Sequence, residues 1–393
     1  MSLDESRRSL SRRKSRVELP THFRRSQPQE TKVHSPSPRR AKFLRLVAPV
    51  DLVGLTYVED QTFGVEIELT SPLGSPDSTG LVYSNWKWKL VAGGILRAIE
   101  RVASRPVDPK PRNYHAVNDT ERWRVEFDRS AGWEVVSPIL SNQEGFTELA
   151  NVLSALDELV RQTDSLHINY RTGLHVTLGS GLTQDAQVRG LVKLGQILEP
   201  GIFTLVSPSR LYELHDGRYS LHRNNKYCRP LRRLDADVEE LSFDFFRAQS
   251  PSLRYRTMNL SHVGREDPHI EIRLHNGTTH YPVVLTWISL WMTLFNRAKY
   301  RWPAHGSTLP IFPGGDVNIG PEQARMEDIF ALVDKLGVHL DPCLRDALAR
   351  RRTDLLERWH KVIPKRVDSW RKCWPQIPSA NGFVAASRAA RGG

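Results

Sequence analysis

The stretch 63-FGVEIEL-69 alternates apolar and acidic side chains almost residue by residue. Alternation with period two is the signature of a half-buried strand. It sets Phe63, Val65, Ile67 and Leu69 on one face and Glu66 and Glu68 on the other. Two carboxylates two positions apart on a strand stand roughly 6.5 to 7 Å apart at the backbone, close enough to share a divalent ion. An exposed strand with two outward glutamates has the same pattern, so the other strands must decide.

Three further regions repeat the design. The segment 123-WRVEFD-128 places Arg124, Glu126 and Asp128 together, and after a turn 133-WEVVSP-138 places Glu134 and Val136 opposite Trp133 and Val135, so a hairpin is expected. In 174-LHVTL-178 the polar face carries His175 and Thr177. In 269-HIEIRLHN-276 the apolar set is Ile270, Ile272 and Leu274, while His269, Glu271, Arg273 and His275 share the other face. The apolar run 282–296 that follows is short for a membrane span and reads as a buried helix, which puts this strand in the middle of the sheet. An acid and an arginine in that position call for a paired or functional explanation.

Four such strands predict an α+β fold: a curved antiparallel sheet whose concave polar face is an active site and whose convex face packs on helices. Helices are expected over 86–104, with Leu90, Ile95, Ile99 and Val102 inward, and over 143–163, 185–198, 321–337 and 342–362. Within the last, Arg350, Arg351 and Arg352 read as a solvated basic ridge. The prolines of 105–119 predict a surface loop. The polar tract 207–233, which includes Arg210 and Arg223, suits phosphate or carboxylate recognition through bidentate hydrogen bonds, or is an ordinary basic loop.

Of the formal net charge of +12 over 393 residues, +9 lies in residues 1–45, which hold 13 Lys or Arg against 4 acids. The basic character therefore belongs to an N-terminal arm over 1–49, too poor in apolar residues to offset its ordering entropy. Such an arm suits an acidic partner or a nuclear address, and equally a plain solvated tail. A catalytic domain over 50–315, a helical extension over 316–375 and a flexible tail over 376–393 complete the expected organisation. Three cysteines without close spacing give neither a disulfide framework nor a zinc motif. With no apolar core after the early arginines, no secretory signal is expected and a soluble cytoplasmic protein is the natural reading.

In order, FGVEIEL, Asp128-x-Ser130 before WEVVSP, TGLHVTL, NNKYCRPL, MNL and IEIRLHNGTT resemble the amidoligase family over roughly residues 60 to 300. That family belongs to the carboxylate-amine ligases with the glutamine synthetase and gamma-glutamylcysteine ligase fold. The resemblance implies an enzyme that uses ATP and Mg2+ (or Mn2+) to activate a carboxylate as an acyl phosphate, which an amine displaces to form an amide. Its substrates would be small-molecule or peptide carboxylates and amines. It also implies that Glu66, Glu68, Glu134, His175 and Glu271 are metal ligands, and that Arg273 holds nucleotide phosphates and is catalytic with Glu271 and Glu66. His175 and Arg223 would lie at the nucleotide, and Asp128, Arg210 and Asn276 at the substrate. Thr177 stands where the family has a second histidine.

The residues alone agree on one point: neither GxxxxGK[ST] nor a strand-to-helix GxGxxG occurs, so a bound nucleotide would be gripped by metal and arginines. Two alternatives remain at this stage. One is a metal-dependent hydrolase in which Glu66, Glu68, His175 and Glu271 activate water. The other is a degenerate ligase acting as a binding module through its basic arm.

Overall fold

The computed structural model describes residues 43–45, 55–71, 86–113, 119–128, 131–169, 171–215, 218–231, 234, 240–248, 253–266, 268–300, 330–331, 333–334 and 338–362. All belong to one unit, Arg40–Gly393. The basic arm expected over 1–49 lies outside the described residues apart from 43–45, and the tail 376–393 lies outside them entirely.

The strands are β1 (Phe43–Arg45), β2 (Thr56–Val58), β3 (Phe63–Leu69), β4 (Arg112–Asn113), β5 (Arg124–Asp128), β6 (Gly132–Val136), β7 (Gly173–Gly179), β8 (Tyr212–His215), β9 (Arg218–Asn224), β10 (Met258–Asn259) and β11 (His269–Asn276). The helices are α1 (Trp86–Glu100), α2 (Asn142–Gln162), α3 (Asp185–Phe203), α4 (Pro208–Leu211), α5 (Phe243–Ala248), α6 (Tyr281–Tyr300) and α7 (Pro342–Val362). Seven strands form the main sheet in the order β10-β11-β7-β3-β6-β5-β4, and β1-β2 and β8-β9 form two small ladders.

The α+β class stands, but the sheet is mixed rather than antiparallel. Every neighbouring pair in it is antiparallel except β4 and β5, where Arg112 stands parallel to Glu126. The proline-rich loop supplies that edge: residues 106–113 run back alongside β5, with Val107 bridged to Trp123. The expected hairpin is present, and Gly132 closes it with φ +117, where a Cβ would stand 2.7 Å from the Leu69 carbonyl oxygen. Only glycine adopts that conformation without strain.

The apolar faces of the strands point as the alternation predicts. Phe63, Val65, Ile67, Leu69, Val125, Phe127, Trp133, Val135, Leu174, Val176, Leu178, Ile270 and Ile272 are all buried in one continuous core. Burial of each large apolar side chain contributes about 1.5 to 3 kcal/mol, so the face cannot be inverted by a one-residue slip without losing the fold. Helix α6 is the apolar helix expected after β11; Leu285, Ile288, Trp291, Met292 and Phe295 are buried, and it packs on α2 and α3.

In α1 the buried stripe is Val91, Ala92, Ile95, Leu96 and Ile99. Leu90 is 57% exposed and Val102 37% exposed, so the expected stripe is rotated. Residues 91, 92, 95, 96 and 99 follow the i, i+3, i+4 spacing of one helix face, and Leu90 falls off it. Of the helix expected over 321–337, residues 330–331 and 333–334 are helical and the rest lie outside the described residues. Among the described residues no helix is long and apolar enough to cross a membrane.

Candidate active site

The register of the main sheet assembles the polar face row by row. Glu66 of β3 stands opposite His175 of β7 on one side and Val136 of β6 on the other. One step along, Glu68, Glu134 and Glu126 stand side by side on β3, β6 and β5. On the far side Glu271 of β11 lies opposite Thr177 of β7 and Asn259 of β10. Directly opposed residues on neighbouring strands have Cβ atoms about 4.5 to 5.5 Å apart, so like charges placed this way repel unless something neutralises them.

His175 is the hub. Its Nδ1 lies 2.9 Å from Glu66 Oε2 and 3.3 Å from Glu271 Oε1, and its Nε2 lies 3.7 Å from Glu68 Oε1. Two overlapping groups, Glu66 with His175 and Glu271, and Glu68 with Glu134 and His175, have ligand atoms within 4.8 Å of one another. Five of the predicted residues therefore converge.

Glu134 is the most telling of them. It is 1% exposed, and its Oε1 is buried without a hydrogen-bond partner. Burial, and then the neighbouring charges of Glu66, Glu68, Asp128 and Glu126, raise its carboxyl well above the usual range. A buried carboxylate among four others must either hold a proton or meet a cation.

Gly173 makes room for the cluster. Its N–H donates to Glu68 Oε2 at 2.5 Å, and a Cβ there would meet His175 Nε2 at 3.0 Å, Glu68 Oε2 at 3.2 Å and Arg210 Nη1 at 3.4 Å. The glycine of TGLHVTL is thus required by the close approach of three polar groups rather than by a turn.

Two buried guanidinium groups flank the acids. Arg273 pairs with Glu271 through Nη1. Burial opposes its charge, but Glu271 and Glu66 outweigh that and hold it protonated. Arg210, on the short α4, donates to the Thr172 carbonyl and lies 3.8 Å from Cys228 Sγ. Burial pushes the Cys228 thiol up despite Arg210, so it stays a neutral donor, bonded to the Arg273 carbonyl at 3.2 Å.

Asp128 ends β5 half-buried, near enough to raise Glu134. Asn276 ends β11, where its Oδ1 accepts from the Ser207 N–H at 3.1 Å. The side chain of Arg223 lies outside the described residues, although its backbone belongs to β9. Thr177 is half-buried between Gly64 and Glu271, so the place of the second histidine is on the polar face but carries a hydroxyl.

His275 is a correction. The register of β11 against β7 slips between Ile272 and His275, so His275 stands opposite apolar Leu174 instead of continuing the polar row. One extra residue reverses the parity of everything after it. His275 is 1% exposed, with its ring tilted against that of Trp287 at 4.9 Å between centroids and its Nδ1 2.6 Å from the Asn276 carbonyl oxygen. Burial and then Arg351 depress its pKa well below the ordinary histidine value, so it is neutral.

The basic ridge is also revised: Arg351 is half-buried and donates to Asn276 Oδ1 at 3.4 Å. Two residues were given no site role from the sequence. Asn259 donates to Glu271 Oε2 at 2.5 Å, and Glu126 accepts from Arg124 Nε at 2.9 Å. Both carried a signal: Glu126 shares the alternating face of β5, and Asn259 lies in the MNL motif of the family resemblance.

The family model described as "Putative amidoligase enzyme" matches residues 59–295, which contain every site residue discussed above except Arg351. No curated protein matches the chain. Among solved structures the chain is similar to a novel glutamine synthase homolog, at 14% identity and TM-score 0.42, covering 80% of this chain and 69% of that one. It is also similar to the ligase PafA in complex with the prokaryotic ubiquitin-like protein Pup, at 13% identity and TM-score 0.36, over 84% of this chain and 69% of that one. A third is GmaS with ADP, at 11% identity and TM-score 0.41, over 77% of this chain and 70% of that one.

Proposed function

The chain belongs to the amidoligase family, and on that premise we propose that it is an ATP-dependent ligase that joins a carboxylate to an amine as an amide. The observation that carries the reading is the pair of carboxylate groups sharing His175, with the Arg273 guanidinium against Glu271.

The donor set fits a hard divalent cation. It is mostly carboxylate oxygen, it includes the unpartnered Glu134 Oε1, and Gly173 leaves the space beside it open. Oxygen-rich sites of this kind suit Mg2+ or Mn2+. Glu66 and Glu271 would hold one ion and Glu68 and Glu134 another, with His175 serving one of them, since a neutral imidazole has one free lone pair. When bound, such ions neutralise phosphate oxygens.

The residues of the chain supply the rest. Arg273 and Arg210 are buried, permanently charged and tethered, so they offer preorganised donors to phosphate oxygens without reorganising. In the first step the substrate carboxylate oxygen attacks the γ-phosphorus of ATP, ADP leaves, and an acyl phosphate forms. In the second the amine nitrogen attacks the acyl carbon, phosphate leaves with the C–O bonding pair, and the amine's proton passes to the departing phosphate. Arg273 stabilises charge in both. Asp128, at the half-buried end of β5, is suited to an ammonium group of the incoming substrate, and Asn276 to its polar part. Thr177 supports this site as a hydrogen-bonding group rather than a ligand.

The hydrolase reading loses ground because His275 joins the core, so among the described residues His175 is the one imidazole that belongs to the convergent carboxylate groups. The test is calorimetric titration with ATP and Mg2+ on the wild type and on Glu271→Gln, followed by ADP release with panels of acids and amines. Magnesium-dependent ATP binding lost in the variant is expected, as is ADP release that requires both an acid and an amine and disappears in Arg273→Ala. A folded wild type that binds no nucleotide, or releases product from one substrate in its absence, refutes the ligase.

A further inference from the structure

On the side of β11 that carries His275, a cavity of about 360 Å³ opens between α6 and α7. Its size lies within the usual range of small-molecule pockets, about 300 to 1,000 Å³. Its apolar wall is Leu55, Leu205, Val283, Trp287 and Leu348, and Thr286, His275, His280 and Arg351 add polar groups. His275 Nδ1 faces a carbonyl oxygen and so carries the ring proton, which leaves Nε2 as an acceptor.

The rim is charged in a regular way. Asp346, Arg350 and Asp354 line the cavity from successive turns of α7, all three are exposed, and among the described residues none has an ion-pair partner. Four residues of helix rise about 6 Å, so the backbone positions of acid, base and acid follow one another at that spacing. The ammonium and carboxylate of an extended dipeptide are separated by one Cα–Cα step of 3.8 Å plus a bond at each end, about 6 Å in all. A purely anionic ligand would meet Asp346 and Asp354, and a purely cationic one Arg350 and Arg351, so a ligand carrying both charges suits the rim.

From this match we propose that the cavity binds a zwitterionic dipeptide with an aliphatic side chain: carboxylate on Arg350, ammonium on Asp346 or Asp354, and side chain against the Leu55, Leu205 and Leu348 wall. The site is separate from the polar face, since His275 and Arg273 lie on opposite sides of β11. The proposal does not depend on the ligase reading.

The test is calorimetric titration of the full chain with L-alanyl-L-leucine, its N-acetyl derivative and its C-terminal amide. One-to-one binding is expected, weakened on the order of 10-fold by either modification and by Arg350→Ala, each of which removes one charge-assisted contact. Ala347→Trp, which fills the mouth from α7, should abolish binding, and Glu271→Gln should leave it unchanged. The exposed Arg350→Ala keeps the test valid if Ala347→Trp fails to fold. No binding at millimolar peptide, equal binding of the capped peptides, or loss in Glu271→Gln overturns the proposal; only the last would place the peptide on the polar face.

Discussion

Replacing Glu134 by glutamine should make the metal-free protein more stable at alkaline pH, an unusual outcome for a polar change at a site 1% exposed. Glu134 stands directly opposite Glu68 and Glu126. At a separation of about 5 Å and an effective dielectric constant of about 20, each charged neighbour contributes ~3 kcal/mol of repulsion before screening. Protonation caps this penalty, because the group neutralises rather than bear it, and a net gain of about 2 kcal/mol in the variant is a reasonable expectation.

The sign follows from linkage. A carboxyl whose folded pKa is raised above the unfolded value, here 4.5, contributes its stability below that value and loses it as pH rises through the folded pKa. Glutamine does not titrate, so the variant escapes the loss. Urea denaturation of chelator-treated protein should show the variant ahead at about pH 8 and the two converging near about pH 4.5, and saturating Mg2+ should reverse the order at the higher pH. A variant less stable than the wild type in chelator at the higher pH would refute the reasoning, since the carboxylate would then have a favourable partner.

Gly173→Ala should fold but bind Mg2+ at least about 10-fold more weakly, because its methyl enters the space between His175, Glu68 and Arg210; metal titration by calorimetry checks it. Glu148 carries its own pH dependence. Burial opposes its charge, but hydrogen bonds from Ser104 and Trp123 lower its pKa below 4.5, so its stability is present above that value and is lost as pH falls through the folded pKa. Glu148→Gln should cost about 1 to 3 kcal/mol at neutral pH and progressively less in acid, measured by denaturant unfolding. His275→Leu should leave Mg2+ affinity within about 2-fold while His175→Leu loses it, a comparison that tests the parity reversal in β11 directly.

Period-two reading was reliable wherever a strand stayed regular. Glu66, Glu68, Glu134, His175 and Glu271 face one another because the register of β6, β3, β7 and β11 preserves what alternation implied within each strand. It failed at His275 because the slip in β11 falls within Arg273 and Leu274, with no Gly or Pro to mark it. The convergence of Arg210 was legible only as composition: its place depends on the four-residue α4 and on Thr172, distant in sequence. The parallel β4 was hidden because two residues carry no periodicity. Leu90 misled because the apolar run 90–92 straddles the edge of the stripe, and Val91 and Ala92 rather than Leu90 lie on the face of Ile95, Leu96 and Ile99.

The main sheet ends on β4 at one side and β10 at the other, two residues each. Edge strands are templates for intermolecular pairing, and very short ones offer little unpaired backbone to a second chain. Among the described residues, such short edge strands therefore disfavour strand-to-strand growth of the main sheet.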